Sequence, residues 1–419
     1  MNKALPTKQQ LQWADMEIGV IIHYIMEIYD TDFKDYKTSA VRTRLSPDKF
    51  NPTKLDPEQW VRSAFELGAK YAVIVLNHCT GFSLWPTKVN DYSCASMKWK
   101  DGKGDIFREF LDACKKYGIK PGAYYSTGCN GYYNINDEWD IDYKSEEYQA
   151  YVHCVEEQVK EIWSEYGELF EIWFDGGVIP KEKGGPDILP ILKKYQPNAV
   201  TFQGPADAPY NIRWVGNEQG VAPECCRATV RKDDRTDIYG DINGELWVPA
   251  ETDFPNRANE SYAGGWGWKA GEEKYVLSPG HLLDCYVKSV GRNTNMMVGM
   301  AISTDGDFQD EEQFIAFGKL LKETFANPVD ALKSPDADNI VLHSDGKAKL
   351  NYFVISEDIS KGENVDGLIL YADGKEIYRG ECIGHKRIVP LEGISAKEIK
   401  AQVSSSEGRE ISIKKAELY

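Results

Sequence analysis

Two patterns of apolar residues alternate along the first three quarters of the chain. Short, nearly continuous apolar runs lie at 18–24 (IGVIIHY), 71–77 (YAVIVLN), 119–126 (IKPGAYYS), 169–175 (LFEIWFD), 199–203 (AVTFQ), 246–251 (LWVPAE) and 294–302 (TNMMVGMAI). Runs of this kind suit strands covered on both faces. Between them, apolar residues recur at helical spacing over 55–68, 105–118, 145–167, 187–195, 282–291 and 311–325. In the longest helix, Tyr148, Tyr151, Val152, Val155, Val159, Ile162 and Trp163 mark one face. The helix over 55–68 has clear punctuation. Asp56 caps it, Pro57 opens it, Gln59 is set to close a capping box, and Gly68 stops it. Trp60, Ala64, Phe65 and Leu67 are its expected inner face.

Strand and helix alternating over about 300 residues predict an α/β fold, a (β/α)8-like barrel. A doubly wound open sheet is the alternative, but no Gly-x-Gly-x-x-Gly turn follows a strand. After Asn327 and Pro328 the pattern changes to short strands and turns, with the Asp373-Gly374 pair of a hairpin. The expected division is a catalytic barrel over 1–327 and a small C-terminal β-sandwich over 335–419.

Charge narrows the function. The 66 acidic and 49 basic residues leave a net charge of −17, which argues against nucleic acid or an anionic membrane as partner. No apolar run approaches the ~18 residues that span a bilayer. The opening MNKALPTKQQLQW lacks the apolar core of a signal peptide, so the expectation is a cytoplasmic chain, or a periplasmic one if trimmed. Nine cysteines without a Cys-x-x-Cys give no zinc spacing and read as free thiols, which lean toward a reducing setting. The 11 tryptophans and 24 tyrosines suit core packing or stacking on sugar rings.

In a barrel the chemistry gathers at the C-terminal strand ends. That rule selects His23 and Tyr24, His78 to Thr80, Tyr124 and Tyr125, Trp173 and Asp175, then Glu251 and Asp253. The long loop expected at 205–220 adds Arg213, Trp214 and Glu218. Asp175, between Trp173-Phe174 and Gly176-Gly177, and Glu218, near Trp214, Gly216 and Gly220, form the best candidate carboxylate pair. One ionised acid and one protonated acid beside aromatic walls is what glycoside hydrolysis requires. His78 and Cys79 also suggest a thiol nucleophile, but adjacent residues on an extended backbone point to opposite sides and make a poor dyad. A metal site from His23, His78 and Asp175 is a further alternative.

The stretches EIGVIIHY, LGAKYAVIVLNHCTGFSLWPTKVNDYS, KYGIKPGAYYS, FEIWFDGG, RWVGNEQG and VGRNTNMMVGMAISTDGDF, taken in order, resemble the α-L-fucosidases of glycoside hydrolase family 29. The resemblance covers about residues 10 to 325. It implies a retaining exo-glycosidase with no cofactor and no metal, acting on fucosylated oligosaccharides. Asp175 falls on the nucleophile position. Glu218 falls on the acid/base position of the subgroup selective for α-1,3/4-linked fucose. By the same resemblance His23, His78, Tyr125 and Trp173 contact fucose and Trp266 and Trp268 flank the pocket; Trp85, after the second strand, and Trp214, before Glu218, are expected in its wall. One departure stands out: where the family has Lys-His-His-Asp-Gly-Phe, this chain has Asn77-His78-Cys79-Thr80-Gly81-Phe82. A thiol is a weak hydrogen-bonding partner for a sugar hydroxyl. A related α-L-glycoside such as an α-L-galactoside, or glycan binding without catalysis, therefore stays open beside fucoside hydrolysis.

Overall fold

The computed structural model describes residues 4–30, 45–135 and 142–419. Part of the polar loop expected after the first strand lies outside them. Eight parallel strands close into a barrel: β1 (Ile18–His23), β2 (Tyr71–Asn77), β3 (Lys120–Tyr125), β4 (Glu171–Trp173), β5 (Val200–Phe202), β6 (Asn211–Trp214), β7 (Ala250–Phe254) and β8 (Thr294–Ala301). β1 pairs with β8 over six residues, Ile18 opposite Met296 through His23 opposite Ala301, and this closes the ring. Residues of β1, β2 and β8 are buried throughout, which is why their sequences read as unbroken apolar runs.

The helices are α1 (Lys8–Met16), α2 (Pro57–Leu67), α3 (Ile106–Tyr117), α4 (Glu146–Glu165), α5 (Leu189–Tyr195), α6 (Pro279–Lys288) and α7 (Glu311–Phe325). The Asp56 side chain accepts from the Gln59 amide, and Gly68 ends α2 at φ 104°. The Gln59 side chain does not close a capping box. It bonds both backbone groups of Phe308 at 2.8 Å and so ties α2 to the loop before α7. Phe65 is 47% exposed and rests on Tyr117 of α3, outside the inner face expected for it.

The eighth strand, β6, lies inside the stretch expected to be a loop. Arg213 sits in its middle, buried, where strand patterning looks for an apolar residue. Its guanidinium donates to the carbonyls of Val248, Arg227 and Asp237, which satisfies a charge that the interior would otherwise reject. The expected strand at 246–251 divides. Leu246–Trp247 pairs antiparallel with Thr229–Val230, and the barrel strand β7 begins at Ala250.

Beyond the barrel, two antiparallel four-stranded sheets enclose a separate apolar cluster that includes Leu342, Phe353, Leu368 and Ile399. The strand Asp330–Lys333 already pairs with Ile413–Leu418, so the sandwich starts before residue 335. Buried polar contacts join it to the barrel. Arg227 donates to the carbonyls of Val365 and Glu381, and Asn293 donates to Glu363 at 2.6 Å. Among the described residues no helix is long and apolar enough to cross a membrane.

Candidate active site

Asp175 follows β4 directly, on a turn in which Gly176 and Gly177 both adopt positive φ, 68° and 82°. Only residues without a Cβ take two such values in succession cheaply. The turn leaves the carboxyl group exposed at the C-terminal rim, where it accepts a hydrogen bond of 2.9 Å from the Tyr124 hydroxyl. Tyr124, one residue before the end of β3, lies opposite Trp173 in the register, and the two rings stack at 5.3 Å. Burial first, and then the Asp175 charge, push the Tyr124 phenol far above its ordinary range, so it remains a donor. Trp173 stacks in turn on Phe202 at 4.0 Å, and its indole N–H donates to Glu251 at 3.1 Å.

The Tyr124 ring also lies 5.8 Å from that of His78. His78 Nδ1 is 2.6 Å from the carboxylate of Glu27, which is fully buried in the short 3-10 turn after β1. The backbone N–H of Thr80 donates to the same oxygen. Burial alone would strip the proton from His78, but the Glu27 charge outweighs it and raises the imidazole to about 9. His23 shows the opposite outcome. With burial and the neighbouring His78 charge against it, it is held down to about 3 and stays neutral. Its ring is 6.2 Å from His78 and 4.8 Å from Trp266.

Cys79 lies within 4.8 Å of a ligand atom of His78, but it is no activated nucleophile. Its thiol bonds the sulfur of Cys129, and that bond, together with burial, raises it well above the ordinary thiol range. Glu27, His78 and Cys79 offer ligand atoms within 4.8 Å of one another. This is the group of metal-ligand type found among the described residues, and it differs from the His23, His78 and Asp175 set considered from sequence.

Glu218 lies further round the rim, in the loop after β6. It is exposed and accepts from the Trp266 indole at 3.2 Å. Trp266 packs against Gly299 of β8, where a Cβ would come within 2.8 Å of the ring. The Trp214 indole donates to Asp253 at the end of β7. Burial and then the charge of Glu218 raise the Asp253 carboxyl well above its ordinary range. Deeper in the barrel, burial pushes Glu251 up to about 7, and burial and then the charge of Glu251 hold the Glu171 carboxyl well above its ordinary range.

Asp175, Glu218, His23, His78, Cys79, Trp173, Trp214 and Trp266 thus gather at the C-terminal rim through one chain of contacts. Three other expected residues take different places. Tyr125 turns outward, and its hydroxyl donates to Gln158 of α4 at 2.6 Å; Tyr124 takes the inward position. Trp85 is buried beneath the rim and donates to Glu161 of α4. Trp268 is half-buried beyond Trp266. Glu27 and Cys129 join the site although strand-end reasoning left them aside, whereas Asp253, which that reasoning did select, takes its place near Glu218. For Glu27 a signal exists in the sequence, a lone acid inside the apolar run IMEIY. For Cys129 there is none.

Comparison with known proteins agrees with this geometry. The family model described as alpha-L-fucosidase matches residues 6–322. Alpha-L-fucosidase 1 of Arabidopsis thaliana is 32% identical over 341 residues, covering 77% of this chain and 61% of that protein. The chain thus spans about three fifths of the length of this relative. The crystal structure of a proposed alpha-L-fucosidase from Bacteroides thetaiotaomicron superposes with a TM-score of 0.89 at 32% identity, over 100% of this chain and 99% of that one. A glycoside hydrolase 29 family member from an unknown rumen bacterium superposes with a TM-score of 0.82 at 29% identity, over 100% and 77%. With a family match spanning the whole barrel and every strand end that carries the site, the chain belongs to the alpha-L-fucosidase family.

Proposed function

We propose that this protein is a retaining exo-glycosidase that removes terminal α-L-fucosyl residues from oligosaccharides or glycoconjugates. The observation that carries this reading is the pair of exposed carboxyl groups just beyond the C-terminal ends of β4 and β6, each held by one aromatic donor: Asp175 by Tyr124 and Glu218 by Trp266. Asp175 attacks the anomeric carbon while Glu218 gives its proton to the departing oxygen. Water, deprotonated by Glu218, then releases the sugar from Asp175 and regenerates both groups. His23, His78, Trp173, Trp214 and Trp266 line the sugar, with Tyr124 in the place expected for Tyr125. The barrel part carries the chemistry, and the sandwich part supports its β6–β7 side. The match of Glu218 to the RWVGNEQG motif favours α-1,3/4-linked fucose on branched glycans.

A second reading keeps the mechanism and changes the sugar. Cys79 is bonded to Cys129, so the position where relatives carry a histidine offers little to a sugar hydroxyl. Leaving that hydroxyl without a partner costs about 1–3 kcal/mol, enough to favour a related α-L-glycoside. Incubation with aryl α-L-fucoside, aryl α-L-galactoside and a Lewis-type trisaccharide tests both readings. Release of fucose supports the first, and preference for the galactoside the second. Binding without turnover of any of the three would remove the enzyme reading.

A further inference from the structure

The first three strands deliver four ligand-type side chains to one buried spot. Glu27 follows β1, His78 and Cys79 follow β2, and Cys129 follows β3. Ligand atoms of Glu27, His78 and Cys79 lie within 4.8 Å of one another, and the Cys79 thiol bonds the Cys129 sulfur. All four residues are buried, with Glu27 at 0% exposure and Cys129 at 9%. Glu27 Oε1 is occupied by His78 and the Thr80 amide, but Oε2, equally buried, has no hydrogen-bond partner among the described residues. A buried carboxylate oxygen without a donor is costly, and here it leaves one lone-pair position open beside the His78 pair.

From this arrangement we infer that Glu27, His78, Cys79 and Cys129 form a binding site for a thiophilic divalent cation of the Zn²⁺ type, and that the bound cation blocks the sugar pocket. One nitrogen, one carboxylate oxygen and two sulfurs are a donor set that zinc takes in tetrahedral sites. Mg²⁺ and Ca²⁺, which prefer oxygen, fit it poorly. On binding, both thiols and the imidazole release a proton to solvent and the cation takes their lone pairs, so affinity rises with pH. The cation draws His78 and Cys79 inward, away from the space in front of Asp175. The site itself stands on the side chains alone, whereas the block on the pocket rests on the glycosidase reading.

The test is direct binding to the reduced, full-length protein. Zn²⁺ titrated by calorimetry should bind at one saturable site, more tightly at higher pH. Co²⁺ in its place should give a thiolate-to-metal charge-transfer band. Cys79→Ser with Cys129→Ser should abolish the band, and Glu27→Gln should weaken binding by about tenfold or more. In the unaltered protein, Zn²⁺ should protect Cys79 and Cys129 from alkylation, mapped by peptide mass. That measurement decides the matter even where the double variant does not fold. Absence of the thiolate band, or alkylation of both cysteines at an unchanged rate under saturating Zn²⁺, would overturn the site. Zn²⁺ that binds there without slowing aryl fucoside hydrolysis would overturn the block alone. A protein that binds Zn²⁺ but turns over no glycoside would leave the site standing and remove only the glycosidase reading.

Discussion

The two sides of the pocket mouth hold their carboxyl groups in different ways. On the β1–β4 side, Asp175 takes its hydrogen bond from a fully buried tyrosine. That tyrosine packs between Trp173 and an imidazole that a buried carboxylate keeps charged. On the β6–β7 side, Glu218 sits on a loop and takes its bond from one half-buried indole, with a second carboxyl group, Asp253, close enough to feel its charge. One side sets its acid against a fixed donor and a nearby cation, an arrangement suited to the nucleophile of the proposed mechanism. The other leaves its acid on an exposed loop beside a second carboxyl group, an arrangement suited to the acid/base of that mechanism. His23, neutral between the two, touches both through His78 and Trp266.

The hardest test of that division removes each acid in turn. Asp175→Ala should lower kcat for every fucoside by at least about 10⁴-fold, whatever the leaving group, because nothing replaces a nucleophile. Substantial residual turnover would move the nucleophile elsewhere. Glu218→Ala should cost less, about 10²–10⁴-fold on natural glycans, and far less on aryl fucosides with good leaving groups. Added azide should restore part of the rate by taking the place of the deprotonated water. A loss independent of leaving group would transfer the acid role to Asp253, a carboxyl group on which the Glu218 charge acts.

How far the sequence anticipated this depends on the kind of residue. Seven strands were legible because burial on both faces leaves unbroken apolar runs. β6 was hidden because Arg213 is satisfied by carbonyls brought from 226–249, which no local pattern reveals. Asp175 and Glu218 were legible as acids at strand ends among aromatics and glycines. The choice between Tyr124 and Tyr125 required the register against Trp173, a pairing between strands about 50 residues apart. Trp85 sits in a family-like stretch, yet its indole is claimed by Glu161 of α4. The Glu27–His78 pair spans 51 residues, and its weight comes from burial, which sequence alone does not report.

That pair allows a smaller, sharper test of the β1–β4 side. His78 is raised to about 9 from an ordinary 6.5, so its pairing stabilises the fold fully below about pH 6.5 and ceases to do so as pH rises through about 9. Glu27→Gln should cost about 3 kcal/mol at pH 6 and flatten the decline of Tm between pH 6.5 and 9. His23 acts at the other end. Held at about 3, it withholds a proton that the unfolded chain takes up below about 6.5, so stability falls as pH drops from 6.5 toward 3. His23→Gln should relieve that acid limb and leave the alkaline one in place. Urea titrations across pH 4 to 9 read both limbs, and a common pH dependence for the two variants would contradict the opposite assignment of the two rings.

The smallest expected effect concerns the donor on the β6–β7 side. Trp266→Phe keeps a ring against His23 and Gly299 but removes the N–H that reaches Glu218 at 3.2 Å. A single hydrogen bond at an exposed carboxyl group is worth about 1 kcal/mol, so kcat/KM on a natural glycan should fall about fivefold. The pattern matters more than the size. If the indole orients Glu218 for proton transfer, the loss should shrink as the leaving group improves, because a good leaving group needs no proton. If Trp266 instead only walls the sugar, the loss should be equal across an aryl fucoside series and appear in KM. A leaving-group plot for this one variant therefore separates a residue that positions the acid from one that packs on the substrate.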